Sequence, residues 1–390
     1  MFLPNDLSYI LNEYAEERES YFNAVSPPIM QTSNFTFKKV EDMRTAFEDE
    51  MSGYLYSRGL NPTVEILRKK LAALDGAEDC LVFSSGAAAI FAGVLSNVKA
   101  GDHIVSVRNP YTWAQRTFDI ILPRFGVATT YIDGREIKNF ENVIQSNTTL
   151  IYLESPNSWD YELQDIKAVA DLARSRNILT MIDNSYCTPL YQRPIDLGID
   201  LCMQTATKYI GGHSDTLGGV LSGSRQMIKK IFDSEFLNVG SGIQPFNAWL
   251  LIRGLRTLPA RFERITRSTI EVVNFLKQHD KIEKLIFPFD ESFPQYQLAR
   301  TQMRGACGLI TFTLKDGTCK SITKFCESLK HILMAVSWGG HESLVIPKCS
   351  GIHPKDFDAG NIEHQYIRMY VGLEDASYLI ADLNQALNLV

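Results

Sequence analysis

The chain has 390 residues, of which 45% are hydrophobic, 22% charged and 11% aromatic. That apolar content offsets the entropy of ordering the chain and excludes a disordered or collagen-like polymer. Lys plus Arg number 39 against 45 Asp plus Glu, a formal net charge of -6, so nothing in the overall charge attracts nucleic acid or anionic lipid. No run approaches the ~18 apolar residues of a membrane span. The first residues, MFLPNDLSYILNEYAEE, lack the basic n-region of a signal peptide. These features predict a cytoplasmic protein with neither a nucleic-acid nor a membrane partner. The seven cysteines form no CxxC pair and no metal-ligand spacing with His. They are expected to be reduced thiols buried as small hydrophobes, with no metal site.

At roughly 150 residues per domain the length implies two or three domains. Residues 1–55 are mixed and turn-prone, as at Ser26-Pro27-Pro28, and read as an arm or cap. In TVEILRKKLAAL (63–74), Val64, Leu67, Leu71 and Leu74 recur at spacings of three and four, which predicts an amphipathic helix. Short apolar runs then follow at CLVF (80–83), HIVSV (103–107), LIYLE (150–154), LTMID (179–183) and LCMQT (201–205). Helical segments at 87–97, 113–126 and 165–176 separate them. Strands buried on both faces read as such continuous runs. Their alternation with helices predicts an α/β domain, 56–240, with a mostly parallel sheet covered on both sides. The alternation stops after about 225. A long Arg-rich helix (241–278) precedes strands at 308–314 and 366–372 and a last helix, which predicts a smaller α+β domain over 241–390.

Several pieces of this chain carry chemistry. In QTATKYIGGHSDTLGG (204–219) a strand ends at Thr205, Thr207 and Lys208, and glycines flank His213, Ser214 and Asp215. Lys208 is either a solvated turn lysine or an amine whose pKa is lowered by a partly dry site, ready to attack a carbonyl. In CLVFSSGAAAIFAG (80–93) a strand turns through Ser-Ser-Gly into a helix. Its first turn at Gly86 and Ala87 is an ordinary capped entry or a phosphate site. Asp183 follows a buried strand, where α/β proteins place their ligands. A carboxylate there holds a protonated pyridine nitrogen, unless it is simply a solvated turn. Tyr111 of NPYTW stacks on an aromatic cofactor and moves protons, or caps a core.

Together SRGLNPT (57–63), SSGAAA, IDNSY, ATKYIGGHSD and SWGGHESL (337–344) resemble, in order, the Cys/Met-metabolism enzymes that use pyridoxal 5′-phosphate, the cystathionine synthase and lyase group of fold-type I. The resemblance implies the pyridoxal phosphate-dependent transferase fold and a pyridoxal phosphate cofactor bound by the 56–240 domain. By position, Lys208 resembles the Schiff-base lysine, Asp183 the pyridinium partner and Tyr111 the stacking tyrosine. Gly86, Ala87, Thr205 and Thr207 resemble the phosphate cradle. Tyr56 and Arg58 resemble the pair that reaches the phosphate of a neighbouring subunit. The implied assembly is a homo-oligomer, a dimer of dimers. Arg368 resembles the arginine that clamps the substrate α-carboxylate, with Ser337 beside it; a bidentate guanidinium suits that task better than a lysine.

Departures bear on the substrate. Where many members read E-S/T-P-x-N-P, this chain has Glu154-Ser155-Pro156-Asn157-Ser158-Trp159, so Ser158 stands in the place of a cofactor-contacting Asn. Ser158 and Trp338 resemble bacterial cystathionine β-lyases, which implies β-elimination of L-cystathionine or a related sulfur amino acid to thiol, pyruvate and ammonia. Gly59 weighs against that substrate, because the enterobacterial β-lyase has a second arginine there. Trp113 stands near a cysteine characteristic of methionine γ-lyases and weighs against that branch. The alternatives are a γ-acting relative (cystathionine γ-synthase, a cystathionine or methionine γ-lyase, a sulfhydrylase) and, more remotely, a cofactor-binding regulator without turnover. A Rossmann dehydrogenase is disfavoured because no G-x-G-x-x-G follows an early strand.

Overall fold

The computed structural model describes residues 6–390. They divide into two compact units. The first comprises residues up to Pro156, Leu163–Gly211 and Asp215–Arg256; the second comprises Asn157–Glu162, Gly212–Ser214 and Thr257–Val390. The helix Pro245–Gln278 runs through the point of division, so residues 241–256 fall in the first unit rather than beginning the second.

In the first unit the apolar runs become strands because successive side chains serve opposite faces of one sheet. The strands are β1 (Asp79–Phe83), β2 (His103–Val107), β3 (Ala128–Ile132), β4 (Thr148–Glu154), β5 (Leu179–Asp183), β6 (Leu201–Thr205) and β7 (Gly219–Gly223). Their spatial order is β1-β7-β6-β5-β4-β2-β3. Leu150 and Tyr152 of β4, Met181 of β5 and Met203 of β6 enter one core with the helix Gly86–Leu95. Ile151 and Leu153, Ile182 and Cys202 enter the core on the other face, with the helix Ile166–Ser175. Strands β2 to β6 pair in parallel, while β7 runs antiparallel to both β1 and β6. The sheet is thus mostly parallel, as expected, with an antiparallel strand inserted next to its edge.

The helix Pro62–Asp75 starts at Asn61, whose side chain accepts from Thr63 N–H, and ends at Gly76 with φ 70. That left-handed cap needs glycine. The early residues are tied to this helix. Lys70 is fully buried and its Nζ donates to the carbonyls of Ile10 (2.7 Å) and Leu11 (3.2 Å). The same ammonium lies 3.2 Å from Glu16, which also takes Arg256 at 2.8 Å.

The second unit has a five-stranded sheet ordered β10-β11-β12-β9-β8, from Leu333–Met334, Leu344–Pro347, Ile367–Tyr370, Leu309–Leu314 and Ile282–Ile286. Ile310, Phe312, Ile367 and Met369 turn one face into a core with the helices Cys319–Ser328 and Ala376–Leu387. By alternation Thr311, Thr313 and Arg368 occupy the opposite face. Arg368 pairs in register with Thr311 on β9 and with Ile346 on β11.

The Arg-rich stretch Arg253 to Arg267 of the long helix is not uniformly solvated. Arg256 pairs with Glu16, Arg264 pairs with Asp375, and Arg261 is buried with its guanidinium shifted down to about 10 by desolvation. The helix expected over 113–126 is a single α-turn, Thr112–Arg116, followed by a π-turn and a 3-10 turn ended by Gly126. All seven cysteines are free; six are buried and Cys319 is half-buried. No group of His, Cys, Asp and Glu among the described residues could hold a metal. No described helix is long and apolar enough to cross a membrane.

Candidate active site

In the first unit the candidate residues gather at the carboxyl ends of β4, β5 and β6 and at the start of the helix Gly86–Leu95. Ser85 caps that helix, its hydroxyl accepting from Ala88 N–H at 3.2 Å. The first-turn amides of Gly86 and Ala87 have no intrahelical acceptor and lie at the positive end of the helix dipole. Gly86 is pressed against the end of β6: a Cβ there would stand 2.9 Å from Thr205 Cβ. Gly219 makes a second close approach, where a Cβ would meet Ser85 O at 2.1 Å.

Asp183 ends β5 with 6% of its surface exposed. Ser185 N–H donates to its Oδ1 at 2.9 Å, and Thr205 N–H donates to Ser185 Oγ at 2.8 Å. Burial pushes the Asp183 carboxyl up. The Ser185 bonds and the charge of Lys208 pull it back down. Asp183 and Lys208 are therefore electrostatic neighbours. Thr205 and Thr207 both direct their hydroxyls to Gly218 O, at 3.2 and 3.3 Å, and Gly218 N–H donates to Thr207 Oγ1 at 3.1 Å. These bonds fix the turn that carries Lys208, which is half-buried.

Tyr111 N–H donates to Glu154 Oε2 at 2.5 Å, which anchors the Asn109–Tyr111 turn to the end of β4. Its phenol is pushed up by burial, then by the charges of Asp183 and Glu154. The tyrosine is therefore held neutral. The structure thus brings Gly86, Ala87, Tyr111, Asp183, Thr205, Thr207 and Lys208 to one place. Tyr56 and Arg58 precede the helix Pro62–Asp75. Both are exposed, the Arg58 guanidinium lies 5.7 Å from the Tyr56 ring centre, and Tyr56 bridges to Asn34.

In the second unit Arg368 projects from β12 and is 8% exposed. Its Nη1 donates to both the carbonyl and the hydroxyl of Ser158, each at 3.0 Å. The hydroxyl of Ser158, the residue in the place of the cofactor-contacting Asn, thus accepts from this guanidinium. The ring of Trp159 lies 4.7 Å from Arg368 Cζ. Ser337 has φ 83, a left-handed backbone that favours glycine, and Trp338 beside it is half-buried. Tyr370 OH donates to Gly340 O at 2.8 Å, tying that loop to the strand of Arg368. His341 lies against Glu342, whose carboxylate also accepts from Ser214.

The residues fit pyridoxal phosphate. A buried carboxylate at a strand end suits a pyridinium nitrogen. Unpartnered amides at a helix start, with a glycine where a side chain would collide, suit a phosphate. A neighbouring lysine suits an aldehyde. Ser185 of IDNSY shows no sequence signal beyond its place two residues after Asp183, because its bond to Thr205 depends on the β5–β6 pairing.

A family model described as "Cys/Met metabolism PLP-dependent enzyme" matches residues 10–388. The chain is 38% identical to L-methionine gamma-lyase of Treponema denticola over 96% of this chain and 95% of that protein. It is 36% identical to cystathionine gamma-lyase of Macaca fascicularis, over 95% and 91%. Among solved structures, metB from Corynebacterium glutamicum superposes with a TM-score of 0.92 at 31% identity, covering 100% of both chains.

Proposed function

The chain belongs to the Cys/Met metabolism PLP-dependent enzyme family, and from that premise we propose that it is a carbon–sulfur lyase acting at the γ-carbon of L-methionine or L-cystathionine. The observation that carries the choice of γ over β is the near full-length likeness to proteins named methionine and cystathionine γ-lyases. It reverses the preference drawn from Ser158 and Trp338 for β-elimination, and it outweighs the argument from Trp113 against the methionine branch.

Pyridoxal phosphate, the family's cofactor, supplies an electron sink for the charge left when a Cα proton departs. Gly86, Ala87, Thr205 and Thr207 would hold its phosphate, and Asp183 would keep its pyridine nitrogen protonated. Lys208 would hold the aldehyde carbon and, once displaced by the substrate, its amine would take the Cα proton. A γ-leaving group requires a second proton to be taken from Cβ, and Lys208 could take it only after handing on the first. Tyr111, neutral beside Asp183 and Glu154, is a proton source for the departing sulfur. Arg368 takes the α-carboxylate with its guanidinium fork. The exposure of Tyr56 and Arg58 supports their service to a neighbouring subunit's phosphate, in a homodimer or dimer of dimers.

The test is a product assay with L-methionine and L-cystathionine. The reading predicts 2-oxobutyrate from both, with methanethiol from the first and cysteine from the second. Pyruvate with homocysteine from cystathionine, and no 2-oxobutyrate, would restore the β reading and refute this one.

A further inference from the structure

We propose that Trp159 is a positioning residue for substrate binding, whose indole face fixes the plane of the Arg368 guanidinium. The proposal rests on the reading of Arg368 as the α-carboxylate clamp. Three contacts within the second unit carry it. Arg368 Cζ lies 4.7 Å from the Trp159 ring centre, well inside the ≈ 6 Å over which a ring quadrupole attracts a cation. Ser158, the preceding residue, holds Nη1 through two oxygens at 3.0 Å each. Tyr161, two residues further, is fully buried, and its phenol oxygen accepts from Thr311 Oγ1 at 3.0 Å. Thr311 is the register partner of Arg368 on β9. The segment 157–162 is therefore pinned across two adjacent strands, and Trp159 is held between the pins.

A flexible arginine costs a carboxylate complex the entropy of fixing its long side chain, and a pre-set guanidinium plane avoids that cost. The same indole also carries a second cation. Lys348 Nζ lies 5.5 Å from its centre and is anchored 3.0 Å from the Glu363 carboxylate. Lys348 thus steadies the ring without competing for the substrate, its charge being answered by Glu363.

The experiment uses the cofactor-loaded protein and reads amino-acid binding rather than turnover, from the absorbance change of the bound cofactor. L-Alanine has no leaving group and probes the carboxylate clamp alone; ethylamine probes the same amine exchange without a carboxylate. Trp159→Leu, which keeps apolar bulk without the ring, is expected to weaken L-alanine about tenfold and ethylamine less than twofold. Trp159→Phe is expected to restore L-alanine to within about threefold of the parent. In turnover the Leu variant should raise KM with little change in kcat. Equal losses for both ligands, or no loss for L-alanine, would overturn the proposal. Arg368→Ala separates the two layers. If it leaves L-alanine binding intact, the clamp reading falls and the Trp159 role falls with it. If it abolishes the carboxylate preference while Trp159→Leu leaves that preference unchanged, only the Trp159 role falls. None of these outcomes depends on whether sulfur leaves from Cβ or Cγ.

Discussion

Gly86 and Thr205 are in such close contact that one added methyl at position 86 would stand 2.9 Å from the threonine Cβ. The helix start and the end of β6 share one small space, and the placement of the first-turn amides depends on it. Gly86→Ala is predicted to push the helix start off β6 and to cost one or more charge-assisted hydrogen bonds, each ~1.5–3 kcal/mol. Titrating pyridoxal phosphate into the apo variant should show a dissociation constant raised by about one to two orders of magnitude. An unchanged constant would remove Gly86 from the cradle.

Ser185 links Asp183 to Thr205, accepting from Thr205 N–H at 2.8 Å while lowering the Asp183 carboxyl by hydrogen bonding. Ser185→Ala removes the hydroxyl, so the buried carboxyl rises further from its ordinary value. Only the ionised form holds a pyridinium, so the acid limb of the kcat profile is expected to move to higher pH. Activity near neutrality should fall by about tenfold or more. A profile with an unmoved acid limb would contradict this link.

Asp75 ends the helix Pro62–Asp75 inside the protein, accepting from Gln204 at 2.9 Å and from Ser222 at 2.6 Å. Burial raises its carboxyl to about 7 despite those bonds. Between the ordinary value of 3.8 and about 7 the folded state keeps a proton that the unfolded chain has released. This stabilising contribution is complete below the lower value, falls as pH rises through the window, and is gone above it. Asp75→Asn should lack the dependence. Its unfolding free energy relative to the parent is predicted to climb from pH 4.5 to 7.5, by an amount on the order of a few kcal/mol. A constant difference across that range would refute it.

Much of the first unit's sheet is readable in the sequence because its strands are buried on both faces. Each run therefore shows unbroken hydrophobicity, and the glycine-rich and proline-marked turns stand out between runs. Two strands escape for different reasons. β3 is half-exposed along most of its length and carries Thr129 and Thr130, while β7, GVLSG, is buried throughout but has glycine at both ends, which leaves only Val220 and Leu221 as an apolar pair. The motif residues of the site are legible for a related reason: Lys208, Asp183 and Gly86 each sit at an element end that the run itself marks. The contact between Arg368 and Ser158, residues 210 positions apart, is not. It depends on the excursion of 157–162 onto the second sheet, which no local pattern announces. The Trp159 stack is hidden by the same long-range step.

The proposed chemistry rests most directly on the amine of Lys208. Borohydride reduction of the freshly purified protein, followed by peptide mass mapping, is predicted to place a phosphopyridoxyl group on Lys208, and Lys208→Ala is predicted to yield none. Reduced protein carrying the group on another lysine, or unmodified after incubation with pyridoxal phosphate, would contradict it.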